Sequence, residues 1–333
     1  MEHTLQEQAR RLAEKVNAVR KPNSLVLPYF SDLHTDSADA ECVGRLLSAL
    51  ELVVKSTSPD AVINLGDNPD MLGRKYHISN EDLQKLFTAL FDQMASAVDR
   101  PLLLINGNHD AVGTDFFKAS LWNEVVKGKY DRGLAHYHTE GSYYYVDFDK
   151  AKTRLIFLSL PYDSDTEAEH PTPLWGFGEA QISWLRDVAL QTEYDVLLFS
   201  HVPFFYEYRG DTEAMLEVWN GSHTAMSYIS ALCGWIEDLD EAVAAIEKSG
   251  RVRVCLSGHI HAESLWAAKE TKEDPEGRRN PLPCPQYVTV RPVMPPKEGK
   301  TGIGIDVVVW NPDEKKLYIF RFGDGEDKVL DLA

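Results

Sequence analysis

Cysteine is scarce in this chain. Four residues in 333, Cys42, Cys233, Cys255 and Cys284, lie far apart with no Cys-x-x-Cys pair, so they are read as reduced thiols in a cytoplasmic protein. Positive charge is in short supply too. Thirty-four Lys and Arg face 52 Asp and Glu, a net charge of −18, and the broad basic footprint that nucleic-acid phosphates require is missing. No apolar run approaches the roughly 18 residues needed to span a bilayer. Residues 1–20 are polar and charged, where a secretory signal needs an apolar core. Internal repeats and low-complexity tracts are also lacking. What is present is an ordinary globular composition, 44% hydrophobic and 26% charged, in a chain long enough to bury most of its unfolded surface.

Residues 5–19 predict a short, charged, solvated surface helix, ended by Pro22. A repeating pattern follows. The apolar run 24–30 ends at Ser31-Asp32-Leu33-His34, and a helical stretch carries Val43, Leu46, Leu47, Leu50, Val53 and Val54 on one face. A second apolar run, 61–65, ends at Gly66-Asp67. The helix after it starts from a Ser79-x-x-Asp82 capping box and presents Leu83, Leu86, Phe87, Leu90, Phe91 and Met94. A third run, 101–105, ends at Asn106-Gly107-Asn108-His109-Asp110. This alternation implies βαβ units with parallel strands, in which ligands gather beyond the C-terminal strand ends.

The middle of the chain predicts an antiparallel hairpin over 142–148 and 154–160 and a helix over 179–190. Buried strands follow at 195–199 and 251–256, ending at Ser200-His201 and at Ser257-Gly258-His259-Ile260-His261. The tail returns to strands. The expected organisation is an N-terminal helical extension (1–22) and one domain (23–333), with an aromatic-rich insertion at about 203–235 and C-terminal strands within 286–322.

Metal-capable side chains therefore close five apolar strands: Asp32 and His34, Asp67, Asn108, His201, then His259 and His261. Singly, each has a plain structural use. An Asp after a strand can cap a helix, an Asn in a Gly-Asn turn serves backbone geometry, and a buried His is ordinarily a hydrogen-bonded core residue. Jointly they fall at one strand edge of one expected sheet. Carboxylate oxygen and imidazole nitrogen suit divalent cations without any thiolate. A carboxylate can bridge two cations, and two cations roughly 3.5–4 Å apart can clamp a phosphoryl group.

At these residues the sequence resembles the calcineurin-like metallophosphoesterase superfamily. The blocks stand in order as Asp32-Leu33-His34, Gly66-Asp67-Asn68-Pro69-Asp70, Gly107-Asn108-His109-Asp110, Ser200-His201 and Gly258-His259-Ile260-His261. The resemblance implies an α/β fold, a four-layer α/β/β/α sandwich with mixed sheets, around two divalent or mixed-valence metal ions (Mn, Fe or Zn). It puts Asp32, His34 and His261 on one metal and Asn108, His201 and His259 on the other, with Asp67 bridging. His109 is then the candidate general acid, and Asp70 the residue that orients it and holds its proton. Such a metal pair polarises phosphoryl oxygens and generates a hydroxide near neutral pH that attacks phosphorus directly. Histidine is the usual proton donor to the leaving group at that pH.

Departures narrow the class. Met71 stands where the Ser/Thr protein phosphatases carry an arginine, and Asp110 where they carry glutamate, so that branch is disfavoured. Arg74 and Lys75 could grip a phosphate or simply be solvated. The aromatics of 203–235 could stack on a nucleobase or organic leaving group, or pack on themselves. His136, His138, His170 and His223 match no ligand block. The expected activity is metal-dependent hydrolysis of a small phosphomonoester or phosphodiester, with a nucleotide among the candidates, and no membrane partner. Two alternatives stand beside it. One is a nuclease of the same superfamily, against which the −18 charge argues. The other is a non-catalytic metal-binding scaffold, which would be expected to have lost ligands that this chain retains.

Overall fold

In β1 (Leu25–Phe30), alternate side chains part to opposite sides. Leu25, Leu27 and Tyr29 enter one buried cluster, and Val26 and Phe30 another. A strand covered on both faces reads as an unbroken apolar run, which is why the run was legible in the sequence. In the computed structural model the same division runs through both sheets of the molecule. The structure describes residues 2–35, 40–69, 79–111, 119–159, 177–204, 238–268, 280–295 and 297–332.

The first sheet contains β1, β2 (Val62–Asn64), β3 (Leu102–Leu104), β11 (Gly304–Asn311), β12 (Lys316–Gly323) and β13 (Lys328–Asp331), in the order β13-β12-β11-β1-β2-β3. Strands β1, β2 and β3 are parallel, and β11 pairs antiparallel with β1. The second sheet contains β4 (Ala135–Tyr137), β5 (Tyr144–Phe148), β6 (Thr153–Leu158), β7 (Asp195–Ser200), β8 (Val252–Ser257), β9 (Ser264–Trp266) and β10 (Gln286–Val288), in the order β4-β5-β6-β7-β8-β10-β9. Its β6, β7, β8 and β10 run parallel, with antiparallel strands at both edges.

The two sheets pack face to face. Leu27, Tyr29 and Trp310 of the first meet Leu155, Phe157, Phe199 and Leu256 of the second, and the Trp310 indole N–H donates to Thr153 Oγ1 across the interface at 3.0 Å. Helices α1 (Glu2–Val19), α2 (Ala40–Thr57), α3 (Asn80–Val98) and α4 (Ala119–Val126) contribute to the core on the outer face of the first sheet. Helices α5 (Gly178–Trp184) and α6 (Leu239–Ser249) cover the second. The architecture is the four-layer α/β/β/α sandwich. Among the described residues no helix is long and apolar enough to cross a membrane.

Two expectations change. The strand-end residues do not share one sheet: β1, β2 and β3 belong to the first, β7 and β8 to the second. Apolar periodicity marks strands but not their partners, and the antiparallel β4-β5-β6 run starts a new sheet. The first helix is solvated on one face only, because Ala9, Leu12 and Val16 are buried in the core beneath it. The tail divides, β10 joining the second sheet and β11–β13 the first. The Ser79 cap is present, its side chain accepting from the Asp82 N–H. Of the aromatic insertion only Pro203 and Phe204 are described; Phe204 is buried and stacks on Phe177, and residues 205–237 lie outside the described residues.

Leu12 is 2% exposed. Leu12→Ala is expected to destabilise the protein by about 2–4 kcal/mol through the cavity left behind, read from the denaturant midpoint; a surface helix would show almost no change.

Candidate metal centre

Backbone pairing continues past the ends of β1 and β2. The N–H groups of Asp32, His34 and Thr35 donate to the carbonyls of Gly66, Asp67 and Asn68 at 2.9–3.0 Å. This zipper lays Asp32 and His34 alongside Asp67. From the second sheet, the Gly258 N–H donates to the His201 carbonyl at 3.0 Å, which sets the β7 and β8 ends side by side. The C-terminal strand ends of both sheets thus meet at one edge of the sandwich.

Holding the ligand-type side chains inward demands unusual backbone. Asp32, His34, Asp67, His259 and His261 all have positive φ, between 45° and 74°, a region that L-residues seldom occupy and that concentrates at functional sites. Two glycines permit the close approach. A side chain at Gly107 would collide with the Asp67 carboxylate and backbone, and one at Gly258 with Ser31 and the Asp32 carboxylate. The glycines of the Gly-Asn-His-Asp and Gly-His-x-His blocks are thus set by space.

Six of the seven expected ligand residues converge. Donor atoms of Asp32, His34, Asp67 and His261 lie within 4.8 Å of one another, as do those of Asp67, His201 and His259, and Asp67 belongs to both groups. Asp67 Oδ2 is 3.1 Å from His201 Nε2 and 3.6 Å from His34 Nε2. His34 Nε2 and His261 Nε2 approach to 2.7 Å, a separation at which the two nitrogens share one hydrogen bond or face a common cation. Asn108 stands in the 3-10 turn Asn108–Ala111, adjoining the site through its chain neighbour, but its side chain is outside the described atoms. Two carboxylates and four imidazoles, without thiolate, fit hard or borderline divalent cations.

The surroundings orient these donors. His201 Nδ1 lies 2.8 Å from the Leu65 carbonyl, which assigns the proton to Nδ1 and turns Nε2 toward Asp67. Both Asp32 oxygens accept from the His259 N–H, at 3.0 and 2.8 Å. Asp67 Oδ1 accepts from the His109 N–H at 2.7 Å. The His109 ring meets His34 edge-on at 4.4 Å, with its Nε2 4.0 Å from Asp67 Oδ2 and its side chain 22% exposed at the rim. Asp70, expected to orient His109, lies outside the described residues, as do Met71, Arg74 and Lys75. His136 and His138 stack on Tyr145 and Tyr143 and belong to neither ligand group; His170 and His223 are not among the described residues.

Electrostatics follow from burying opposite charges together. Burial works against ionising Asp67, yet the His201 charge and hydrogen bond outweigh it and hold the pKa down to about 2. Asp32 likewise stays well below the usual carboxylate range: burial opposes its charge, and hydrogen bonds from His261 and His34 prevail. His201 is pushed up to about 9, the Asp67 and Asp32 carboxylates overcoming burial. Burial and the His201 charge push His259 down to about 3, so it is a neutral imidazole with a lone pair.

The sequence places Asp110 in the Gly-Asn-His-Asp block and marks it as a departure from the protein-phosphatase pattern, but assigns it no role. In the structure its wholly buried carboxylate accepts from the N–H groups of Gly107, Asp67 and Asn68 at 2.8, 2.7 and 2.9 Å. It fastens the loop after β2 to the loop after β3. An Asp three residues past a turn glycine, able to accept from backbone amides, was the available signal.

The calcineurin-like phosphoesterase family model matches residues 29–263. No curated protein matches the chain. Among solved structures, a dimetal phosphatase from Danio rerio is similar with a TM-score of 0.61 at 13% identity, covering 94% of this chain and 100% of that one; at that identity the likeness concerns the fold. A single mutant of Vps29 from Entamoeba histolytica covers 92% of this chain and 97% of its own at 10% identity, with a TM-score of 0.28 that bears no argument.

Two outcomes follow from this geometry. Asp110→Ala orphans three buried amides and is expected to lower stability by about 3 kcal/mol, measured by chemical denaturation. Because the His201 proton competes with a cation for Nε2, titrating Mn²⁺ into metal-free protein at neutral pH is expected to release about one proton per molecule, with affinity rising as pH approaches about 9. Calorimetry in buffers of different ionisation enthalpy reads both; a pH-independent affinity would contradict the His201 assignment.

Proposed function

The chain belongs to the calcineurin-like phosphoesterase family, and from that premise we propose that it is a binuclear metal-dependent hydrolase of a small phosphomonoester or phosphodiester. The observation that carries this reading is the membership of Asp67 in both ligand groups. Asp32, His34 and His261 would hold one cation and His201, His259 and Asn108 the other, with Asp67 between them. When bound, the cation pair supplies Lewis-acid polarisation of the phosphoryl group and activation of water.

The chain's own residues do the rest. The His109 N–H engages Asp67 Oδ1, leaving Oδ2 toward His34 and His201. The Leu65 carbonyl and the His259 N–H keep His201 and Asp32 in their facing orientations, so the donors need little reorganisation. The His109 imidazole, at the rim and within 4.0 Å of Asp67, supplies the proton that a leaving alkoxide needs. Asp70, three residues past Asp67, is assigned to hold that ring in place. The net charge of −18 favours a small substrate over a nucleic-acid polymer. Cys255 and Cys284 are buried free thiols, in keeping with a cytoplasmic location.

Chelated protein is expected to regain turnover of p-nitrophenyl phosphate or bis-p-nitrophenyl phosphate when Mn²⁺ is restored. Asp67→Asn should lose bound metal and activity together. His109→Ala should keep its metal and lose about 10²- to 10⁴-fold in kcat on substrates with poor leaving groups, the usual worth of a general acid. Full activity of His109→Ala on such substrates would remove the acid assignment. A metal-loaded protein inert on every phosphoester tried would remove the hydrolase reading.

A further inference from the structure

The motif residues end at His261, yet side chains from the C-terminal segment reach back to the loops that carry the first ligand group. Arg291, just after β10, donates from Nε to the Asp32 carbonyl and from Nη2 to the Leu33 carbonyl, both at 3.2 Å. A planar guanidinium suits two successive carbonyls in a way that one ammonium cannot. The turn it grips holds Asp32 and His34 at φ 64° and 45°, a conformation that persists only when its surroundings over-determine it.

The other end of the same ligand group is held from β12. The Arg321 side chain, 2% exposed, donates to Asp306 of β11 at 2.7 Å, to the Tyr287 hydroxyl of β10 at 2.9 Å and to Glu263 Oε2 at 3.0 Å. Lys328 of β13 takes Glu263 Oε1 at 2.8 Å. Glu263 follows His261 by two residues, so the chain leaving His261 is pinned by two cations. The anchors of the second group are of another kind: the His201 ring rests on the Leu65 carbonyl, and the Gly258 N–H on the His201 carbonyl.

We propose that Arg291 and the Arg321–Glu263–Lys328 cluster are positioning residues for the cation site of Asp32, His34 and His261. By this account the C-terminal strands complete the first metal site, while the second is built within the motif loops. The inference rests on the binuclear reading above and concerns how unequal the two sites are.

The test uses the full chain, stripped by chelation and titrated with Mn²⁺, with bound metal counted and its electron paramagnetic resonance recorded. For Arg291→Met, one of the two cations is expected to bind about 10- to 100-fold more weakly, as when a group supporting a metal ligand is removed, while the other stays within about threefold. At a concentration that just saturates wild type, the spin-coupled signal of a manganese pair should give way to that of an isolated ion. Arg291→Lys, able to serve one carbonyl, should recover part of the affinity. Glu263→Gln keeps the side-chain shape but loses the charge, and should weaken the same cation. Equal weakening of both cations, loss of both sites with unfolding, or wild-type binding in Arg291→Met and Glu263→Gln would each overturn the proposal while leaving the hydrolase reading intact. Wild type that binds no Mn²⁺ would overturn the binuclear reading and this inference with it.

Discussion

Asp32 and Asp67 are carboxylates taken out of water, at 0% and 1% exposure. An ion so placed costs several kcal/mol unless opposite charge and hydrogen bonds meet it. Much of the local structure answers that cost. The amides of His259 and His109 point at the two carboxylates, and the rings of His34, His201 and His261 close around them. Cations are the natural completion of such a group, since they bring positive charge that His201 alone supplies only in part. A stability argument alone would not put two acids here, and apolar residues of similar volume would pack more cheaply.

The same demand explains the strained backbone. Five ligand-type residues in the left-handed region are expensive individually, and they persist because backbone zippers, close glycine contacts and the Asp110 carboxylate leave the loops no alternative. Rigidity is paired with function in this arrangement. Donors already aimed at one point lose little freedom when a cation or phosphoryl group arrives, which is the basis of preorganised binding.

The sandwich supplies the frame. Its two sheets bring their C-terminal strand ends to one edge, so loops separated by more than two hundred residues become neighbours. The antiparallel β11 and β12 extend the first sheet while β10 extends the second, and an ionic cluster of buried Arg321 and Asp306 with Tyr287 and the half-buried Glu263 joins the tail strands to each other. The terminal segment is thus part of the scaffold on which the site is built.

Much was legible in the sequence because its signals are local. Apolar runs marked β1, β2, β3, β7 and β8, helical periodicity marked α2 and α3, and the polar residues at strand ends named the donors that converge. Partly exposed elements such as β4, β9 and β13 passed unseen, since none of them lies in an unbroken apolar run of the kind that marked the equally short β2 and β3. What the residues alone could not show was pairing: one sheet was expected from the pattern, and two exist. The buried face of α1, the three amides gathered by Asp110, and the reach of Arg291 and Arg321 to the motif loops all depend on contacts between distant segments. Residue type and spacing determine which chemistry the chain can hold, because donors and periodicity are written one residue at a time. Their assembly into one group around Asp67 was decided only by tertiary structure, because burial, register and electrostatic coupling arise between segments and have no imprint on any one of them.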